Sequence, residues 1–363
     1  MPVIDTLFDE LLRRGASDLH LSVGHPPLVR LRGELTPLDG EPITVERMER
    51  LLFELLDDER RSYFEEQRDL DFAYTHGDKA RFRANYFAKL TGPAAVFRTI
   101  PSHHLDAHEL GLPASVIALA ELPSGLILVT GPTGSGKTTT LAAMISHINR
   151  TRNAHVLTLE DPVEFVHTPN RCLITHREIG LDSPSFPHAL RSALTENADV
   201  ILVGSLEDAE TMRSVLDLAA SGTLVLATIH TSAVGATVER FIHAFPAAHQ
   251  TQIRALLANA LAGIISQQLL RRADGAGRVA AFEVLVANPA VAAAIRECRP
   301  ESFPSLIQAG AREGMQTMDM SLEKLVADGV IRARDALERV HDKQGFAKIP
   351  AVAHQLGLER PNR

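Results

Sequence analysis

Apolar and polar positions alternate in two different rhythms along this chain. From Val3 to Arg14, Ile4, Leu7, Phe8, Leu11 and Leu12 recur at helical spacing on one face, and Gly15 ends the run. SDLHLSV then alternates apolar and polar residues, the pattern of a half-buried strand. LVRLRGELTPL predicts a hairpin turning near Arg32-Gly33-Glu34. Two helical stretches follow, Thr44 to Leu56 and Asp58 to Gln67, and then two strand-like segments, DLDFAYTH and ARFRANYFAKLTGPAAVFRTIP. Helices and strands mix without regular alternation, which predicts a small α+β domain over residues 1–100. The His- and Pro-rich stretch 101–112 reads as a linker.

From Pro113 the rhythm changes. LILVTG, HVLTLED, DVILVG and TLVLATIH are buried-strand runs, separated by helical patterns near Phe186 to Glu196 and Asp208 to Ala220. Apolar strands alternating with amphipathic helices predict a parallel sheet covered on both faces. Gln250 to Leu270 reads as one long helix, and LLRRADGAGRVAAFEVLV as a hairpin around Asp274-Gly275. Short helices continue to about Val340. The expected second domain is 113–345, and 346–363, with its Pro, Gly and polar residues, is expected to be a disordered tail.

Composition narrows the function classes. The net charge is −8, and residues 1–112 carry 14 Lys/Arg against 20 Asp/Glu, a net of −6. Bulk charge thus gives no support for a nucleic-acid partner. Two cysteines, Cys172 and Cys298, without a CxxC pair argue against a disulfide framework or a zinc module and fit a reducing compartment. The first residues carry acids and lack a signal-peptide core, and no apolar run is long enough to span a bilayer.

One motif dominates the chemistry. GPTGSGKT, comprising Gly131, Pro132, Thr133, Gly134, Ser135, Gly136, Lys137 and Thr138, meets every position of the phosphate-binding loop, with the strand LILV before it and the helix TTTLAAMISHI after it, and Thr139 joins the candidate nucleotide-binding residues. Glycines let backbone N–H groups turn toward phosphates, and the helix N-terminus adds partial positive charge. Lys137 is then the β/γ-phosphate ligand and the Thr138 hydroxyl the Mg²⁺ ligand, so ATP and Mg²⁺ are the expected cofactors. TLEDPVEF places Glu160, Asp161 and Glu164 within five residues at a strand end, where acids beside a nucleotide orient water; alone, the segment would read as a solvated acidic turn. TIHTS puts His230 at the end of another strand, where open α/β sheets bind ligands and where a phosphate sensor would stand; a lone histidine there is also commonly structural.

These residues carry a resemblance. GASDLHLS, ARFRANYF, VFRTIP, GLILVTGPTGSGKTTTLAAM, LTLEDPVEFVH, ATIHTS, IISQQLL and GMQTMDMSL occur in the order found in the type IV pilus retraction ATPases, the PilT family of the secretion ATPases. The resemblance runs from about Asp5 to Leu337. It implies a PAS-like N-terminal domain, a RecA-like P-loop ATPase domain and a hexameric ring with ATP between the two domains. It implies cytoplasmic protein docked through partners at the inner-membrane pilus platform. The missing CxxC separates it from the PilB-like extension relatives. Carried over residue by residue, it makes Glu160 and Glu164 catalytic acids, Glu164 the stronger candidate. It makes His230 the histidine of the His box, and Arg81, Arg83 and Arg98 the arginines that complete neighbouring sites. Arg81 and Arg83 alternate with Phe82 and Ala84, so both project from one strand face.

The chain also departs from that pattern. Gly204-Ser205 stands where the family has Gly-Glu, the Walker B acid, and Glu207 replaces an arginine. Thr195-Glu196-Asn197-Ala198-Asp199 stands for Arg-Glu-Asp-Pro-Asp, Thr91 for an arginine, and Ala292 for the arginine linked to retraction. The groups that hold ATP are complete, while those that drive turnover are partly lost. Two readings stay open: a hydrolysing PilT-like retraction motor whose base is Glu164 or Glu207, and a weakly hydrolysing PilU-like accessory subunit that acts with an active retraction ATPase.

Overall fold

The computed structural model describes residues 2–31, 33–100 and 106–357. Arg32, at the expected hairpin turn, and 101–105 of the expected linker lie outside the described residues. The chain divides into two compact units: residues 1–103 with Asp161–Val166, and 104–160 with 167–363.

Unit 1 is built on six antiparallel strands: β1 (Asp18–Ser22), β2 (Leu28–Leu31), β3 (Glu34–Pro37), β4 (Asp69–His76), β5 (Ala80–Lys89) and β6 (Gly92–Ile100), in the order β3-β2-β1-β6-β5-β4. Helices Asp5–Arg14, Val45–Phe53 and Asp58–Gln67 supply Phe8, Leu11, Met48, Leu52 and Phe64 to the same core as Leu19, Phe82, Tyr86 and Phe97. Phe8 stacks on Phe82 at 4.3 Å between ring centres and meets Phe97 edge-on at 5.0 Å. Aromatic pairs of this kind add about 0.5–1.5 kcal/mol beyond area burial. Phe82, Ala84 and Tyr86 fill this core, so Arg81 and Arg83 occupy the opposite face of β5, as the alternation requires.

Unit 2 holds seven strands: β7 (Gly125–Thr130), β8 (His155–Glu160), β9 (Leu173–Glu178), β10 (Val200–Val203), β11 (Leu224–Ile229), β12 (Leu261–Arg271) and β13 (Arg278–Val286). Their order is β13-β12-β7-β11-β10-β8-β9, parallel throughout except for β13. Alternate residues of one strand serve different cores: Leu126 and Leu128 join one cluster, Ile127 and Val129 the other. Both faces are therefore covered, which explains why these strands read as continuous apolar runs.

Three features differ from the sequence expectations. The run Gln250 to Leu270 is not one helix: the helix Ala247–Ala260 stops and the chain continues as β12, between β7 and β13. A strand buried on both faces has no alternation to distinguish it from a buried helix. The β9 strand was not anticipated; it is an edge strand with an exposed Leu173 and mixed composition. The stretch expected to be a disordered tail contains the helix Pro350–Leu356, whose fully buried Val352 packs with Phe346, Met318 and Leu322. Residues 358–363 lie outside the described residues.

Gly263 separates strand from helix experimentally. A Cβ there would lie 2.9 Å from the carbonyl oxygen of Leu285 and 2.7 Å from a methyl of Leu119. In β12, Gly263→Ala is expected to destabilise the protein by about 1–3 kcal/mol through overpacking. In a helix interior the same change would stabilise by about 0.5–1 kcal/mol. Thermal and denaturant unfolding of the two proteins decides between them.

Candidate functional site

Four neighbouring parallel strands end at the same edge of the unit 2 sheet, and each delivers one sequence-predicted group. β7 leads into Gly131–Lys137, β11 into His230, β10 into Gly204-Ser205, and β8 ends on Glu160. The carboxyl edge of parallel strands is where open α/β sheets bind ligands.

The loop is packed tightly at its base. Gly131 has φ +149°, and a Cβ would stand 2.4 Å from the Gln267 carbonyl oxygen and 2.5 Å from Ser135 Oγ. Gly134 and Gly136 also have positive φ, at +75° and +90°. The helix Lys137–Thr151 begins directly after Gly136, so its first N–H groups open onto the loop. Lys137 is 8% exposed. Its Nζ donates to the carbonyl oxygens of Gly131 at 3.0 Å and Pro132 at 3.2 Å, and lies 3.4 Å from His230 Nδ1.

The segment after β11 is tied to the loop strand. Thr231 N–H donates to Thr130 Oγ1 at 3.1 Å, and Thr130 Oγ1 also contacts the Thr231 carbonyl oxygen at 2.7 Å. Ser266 Oγ donates to the Ser232 carbonyl at 3.1 Å. Glu283, 7% exposed, accepts the Val234 N–H at 3.0 Å at the start of the next helix. Burial pushes the Glu283 carboxyl above the usual carboxylate range. Pro132, Thr133, His230, Thr231 and Ser232 line a cleft of about 440 Å³. Burial and the Lys137 ammonium hold the His230 imidazole below its ordinary value, while Glu207 pulls it the other way.

The residues present suit a phosphate chain. The three glycines hold the positive φ that bends the loop back on itself, and Ser135 Oγ is buried with no partner among the described residues. Thr138, second residue of the helix, supplies the hydroxyl that a magnesium ion on such phosphates takes.

The replaced acid has a defined neighbour. Leu206 enters the core and its N–H bonds the Thr228 carbonyl at 2.9 Å, continuing the β10–β11 pairing. Ser205 Oγ donates to Glu207 Oε1 at 3.1 Å. Asp208 then caps the helix Ala209–Ala220 through the Thr211 N–H at 2.8 Å.

The acidic segment is divided. Glu160, 6% exposed, belongs to unit 2, whereas Asp161–Val166 belongs to unit 1. Within unit 1, Arg81 Nε donates to the Val163 carbonyl at 2.9 Å, and Arg83 Nη1 approaches Glu164 Oε1 at 3.5 Å. Arg98 lies opposite Arg83 in register but pairs with Asp18, Nε to Oδ1 at 2.9 Å. Burial pushes Asp18 up, and hydrogen bonds from Ser17 and Arg98 outweigh it, leaving the carboxyl below its usual range.

Sequence reasoning passed over Gln267 and Glu283. Both lie inside apolar strands; Gln267 falls in the family segment IISQQLL, but that segment assigns it no role.

Comparison with known proteins decides the family. The family model for type II/IV secretion system proteins matches residues 1–344. The chain belongs to that family. It is 43% identical over 334 residues to the type IV pilus retraction ATPase PilT of Pseudomonas aeruginosa, covering 92% of this chain and 97% of that one. It is 35% identical over 334 residues to the type IV pilus ATPase PilU of the same organism, covering 91% and 87%. A crystal structure of the pilus retraction motor PilT with bound ADP superimposes with a TM-score of 0.87 at 40% identity, covering 95% of this chain and 99% of that one.

The electrostatic arrangement predicts how His230 titrates. In the ligand-free protein its ring should titrate below the ordinary histidine value. Lys137→Met should move the midpoint up by removing a like charge, and Glu207→Gln should move it further down. NMR titration of the ring protons in the three proteins measures both shifts.

Proposed function

We propose that this chain is a PilT-like ATPase of the type IV pilus machinery, which binds and hydrolyses ATP to support pilus retraction and twitching motility. The observation that carries the reading is the braced loop, with Lys137 and His230 at one strand edge, in a chain similar to PilT over nearly its whole length. Gly131 to Thr139 receive the phosphates. Lys137 exchanges its two loop carbonyls for phosphate oxygens, and Thr138 holds Mg²⁺, which neutralises phosphate charge when bound.

In hydrolysis a water oxygen bonds to the γ-phosphorus, the bond to the ADP oxygen breaks, and the water proton passes to a carboxylate. Glu164 is the base carried over from the family, with Glu160 supporting it. Glu207 is the alternative base, since its carboxylate reaches back to Ser205 Oγ and lies within electrostatic range of His230. His230 senses the γ-phosphate. Arg81, Arg83 and Arg98 act on the phosphates of a neighbouring copy in a homohexamer, and the ring docks from the cytoplasm onto the inner-membrane pilus platform.

Ser205 favours a second reading. A hydroxyl is no base at neutral pH, and losing a general base costs about 10²–10⁴ in rate. The chain would then be a PilU-like accessory subunit in a mixed assembly with an active retraction ATPase.

Phosphate release from Mg-ATP tests both. The motor reading predicts wild-type turnover that Lys137→Ala abolishes, with Glu164→Gln or Glu207→Gln lowering it about 10²-fold or more. Silent wild-type protein that binds ATP and gains turnover in Ser205→Glu would establish the accessory reading instead.

A further inference from the structure

The segment IISQQLL lies in β12, and its register shows why it matters to the loop. Ser266 pairs with Thr130, the last residue of β7. β12 then runs on to Arg271, still paired with β13 but past the end of β7 on its other side, where the phosphate loop begins. Gln267 is the first residue of that overhang, and it is 1% exposed.

Its amide is held at both ends. Nε2 donates to the Ser135 carbonyl oxygen at 2.7 Å, and Oε1 accepts from Thr140 Oγ1 at 2.8 Å. The Ser135 carbonyl can only accept, which fixes the orientation of the amide group. One side chain thus bridges the last turn of the loop and the first turn of the helix. Its own main-chain oxygen fills the space beside Gly131, and its Nε2 stands 3.2 Å from where a Gly136 Cβ would be.

Peptide geometry connects this contact to ligand binding. In a trans peptide the C=O and the following N–H point in opposite directions. With the Ser135 oxygen held toward β12, the Gly136 N–H points the other way, into the loop. Gly136, at φ +90°, offers little resistance to rotation of that peptide. A rotated peptide would present a carbonyl oxygen to the phosphates in place of a donor.

We infer that Gln267 is a positioning residue for phosphate binding, holding the Ser135–Gly136 peptide so that its N–H faces the ligand. This rests on the nucleotide-binding reading above. Gln267 touches no ligand itself; its effect passes through the Ser135 carbonyl. A glutamate at this position keeps the shape and can still accept from Thr140, but once ionised it sets an oxygen against the Ser135 oxygen. Protonated, it regains a donor. A role limited to packing would not follow that change.

The test is ADP binding by isothermal titration calorimetry, for wild type, Gln267→Glu and Gln267→Met, each checked for folding by circular dichroism. At about pH 8.5, Gln267→Glu should bind ADP at least about tenfold more weakly than wild type. Lowering the pH toward about 5.5 should narrow that ratio as the buried carboxyl protonates. Gln267→Met, which loses the donor without adding charge, should also bind about tenfold more weakly, with no such narrowing. If either folded variant binds ADP within about twofold of wild type at high pH, the inference is overturned. If Gln267→Glu does not fold, Gln267→Met alone decides it. Absence of ADP binding by the wild-type chain overturns the inference together with the reading beneath it, whereas equal binding by wild type and variants overturns the inference alone.

Discussion

At Gly131 the main chain leaves β7 with no room for a side chain, because the Gln267 carbonyl oxygen and the Ser135 hydroxyl already occupy the space where a Cβ would stand. Much of the site depends on that close approach. It lets the chain fold back over the end of its own strand, so that the helix from Lys137 opens toward the same edge as β8, β10 and β11. A phosphate loop needs donors that are fixed before the ligand arrives, since ordering backbone during binding would cost affinity. Here the fixing comes from outside the loop, from β12 and from the threonine pair Thr130 and Thr231.

The same edge carries both the complete loop motif and the one replaced acid. Every position of the phosphate-loop motif is present, and Lys137 is drawn onto loop carbonyls beside His230. The position that resemblance assigns to the activating acid carries Ser205, whose hydroxyl is bonded to Glu207 two residues on. Leu206 is fixed in the core, and the Glu207 carboxylate lies against the Ser205 hydroxyl.

Most of the architecture was legible because most single elements carry a clear helical or strand period. The arginines on β5 could be assigned to one face from alternation with Phe82 and Ala84, and the loop could be located from its spacing alone. What stayed hidden has physical causes. LAGIISQQLL is buried on both faces of a sheet, so its pattern carries no period, and its neighbours β7 and β13 come from distant parts of the sequence. Gln267 acts through a backbone carbonyl 132 residues away, a relation that no local spacing encodes. Arg98 matched a family position, yet its guanidinium is held by Asp18 on β1, a pairing that depends on the β1–β6 register. TLEDPVEF reads as one acidic cluster, but it divides after Glu160, and Glu164 keeps company with Arg83.

The central claim is that a loop held in its donor-inward form by β12 receives the phosphates of a nucleotide. Residue-resolved hydrogen exchange of the wild-type protein, with and without Mg-ADP, tests it most directly. The account predicts added protection at the N–H groups of Gly134, Ser135, Gly136, Lys137 and Thr138, with little change in the already buried strands β7, β10 and β11. Unchanged exchange in that loop at saturating Mg-ADP, or protection appearing elsewhere and not there, would contradict it.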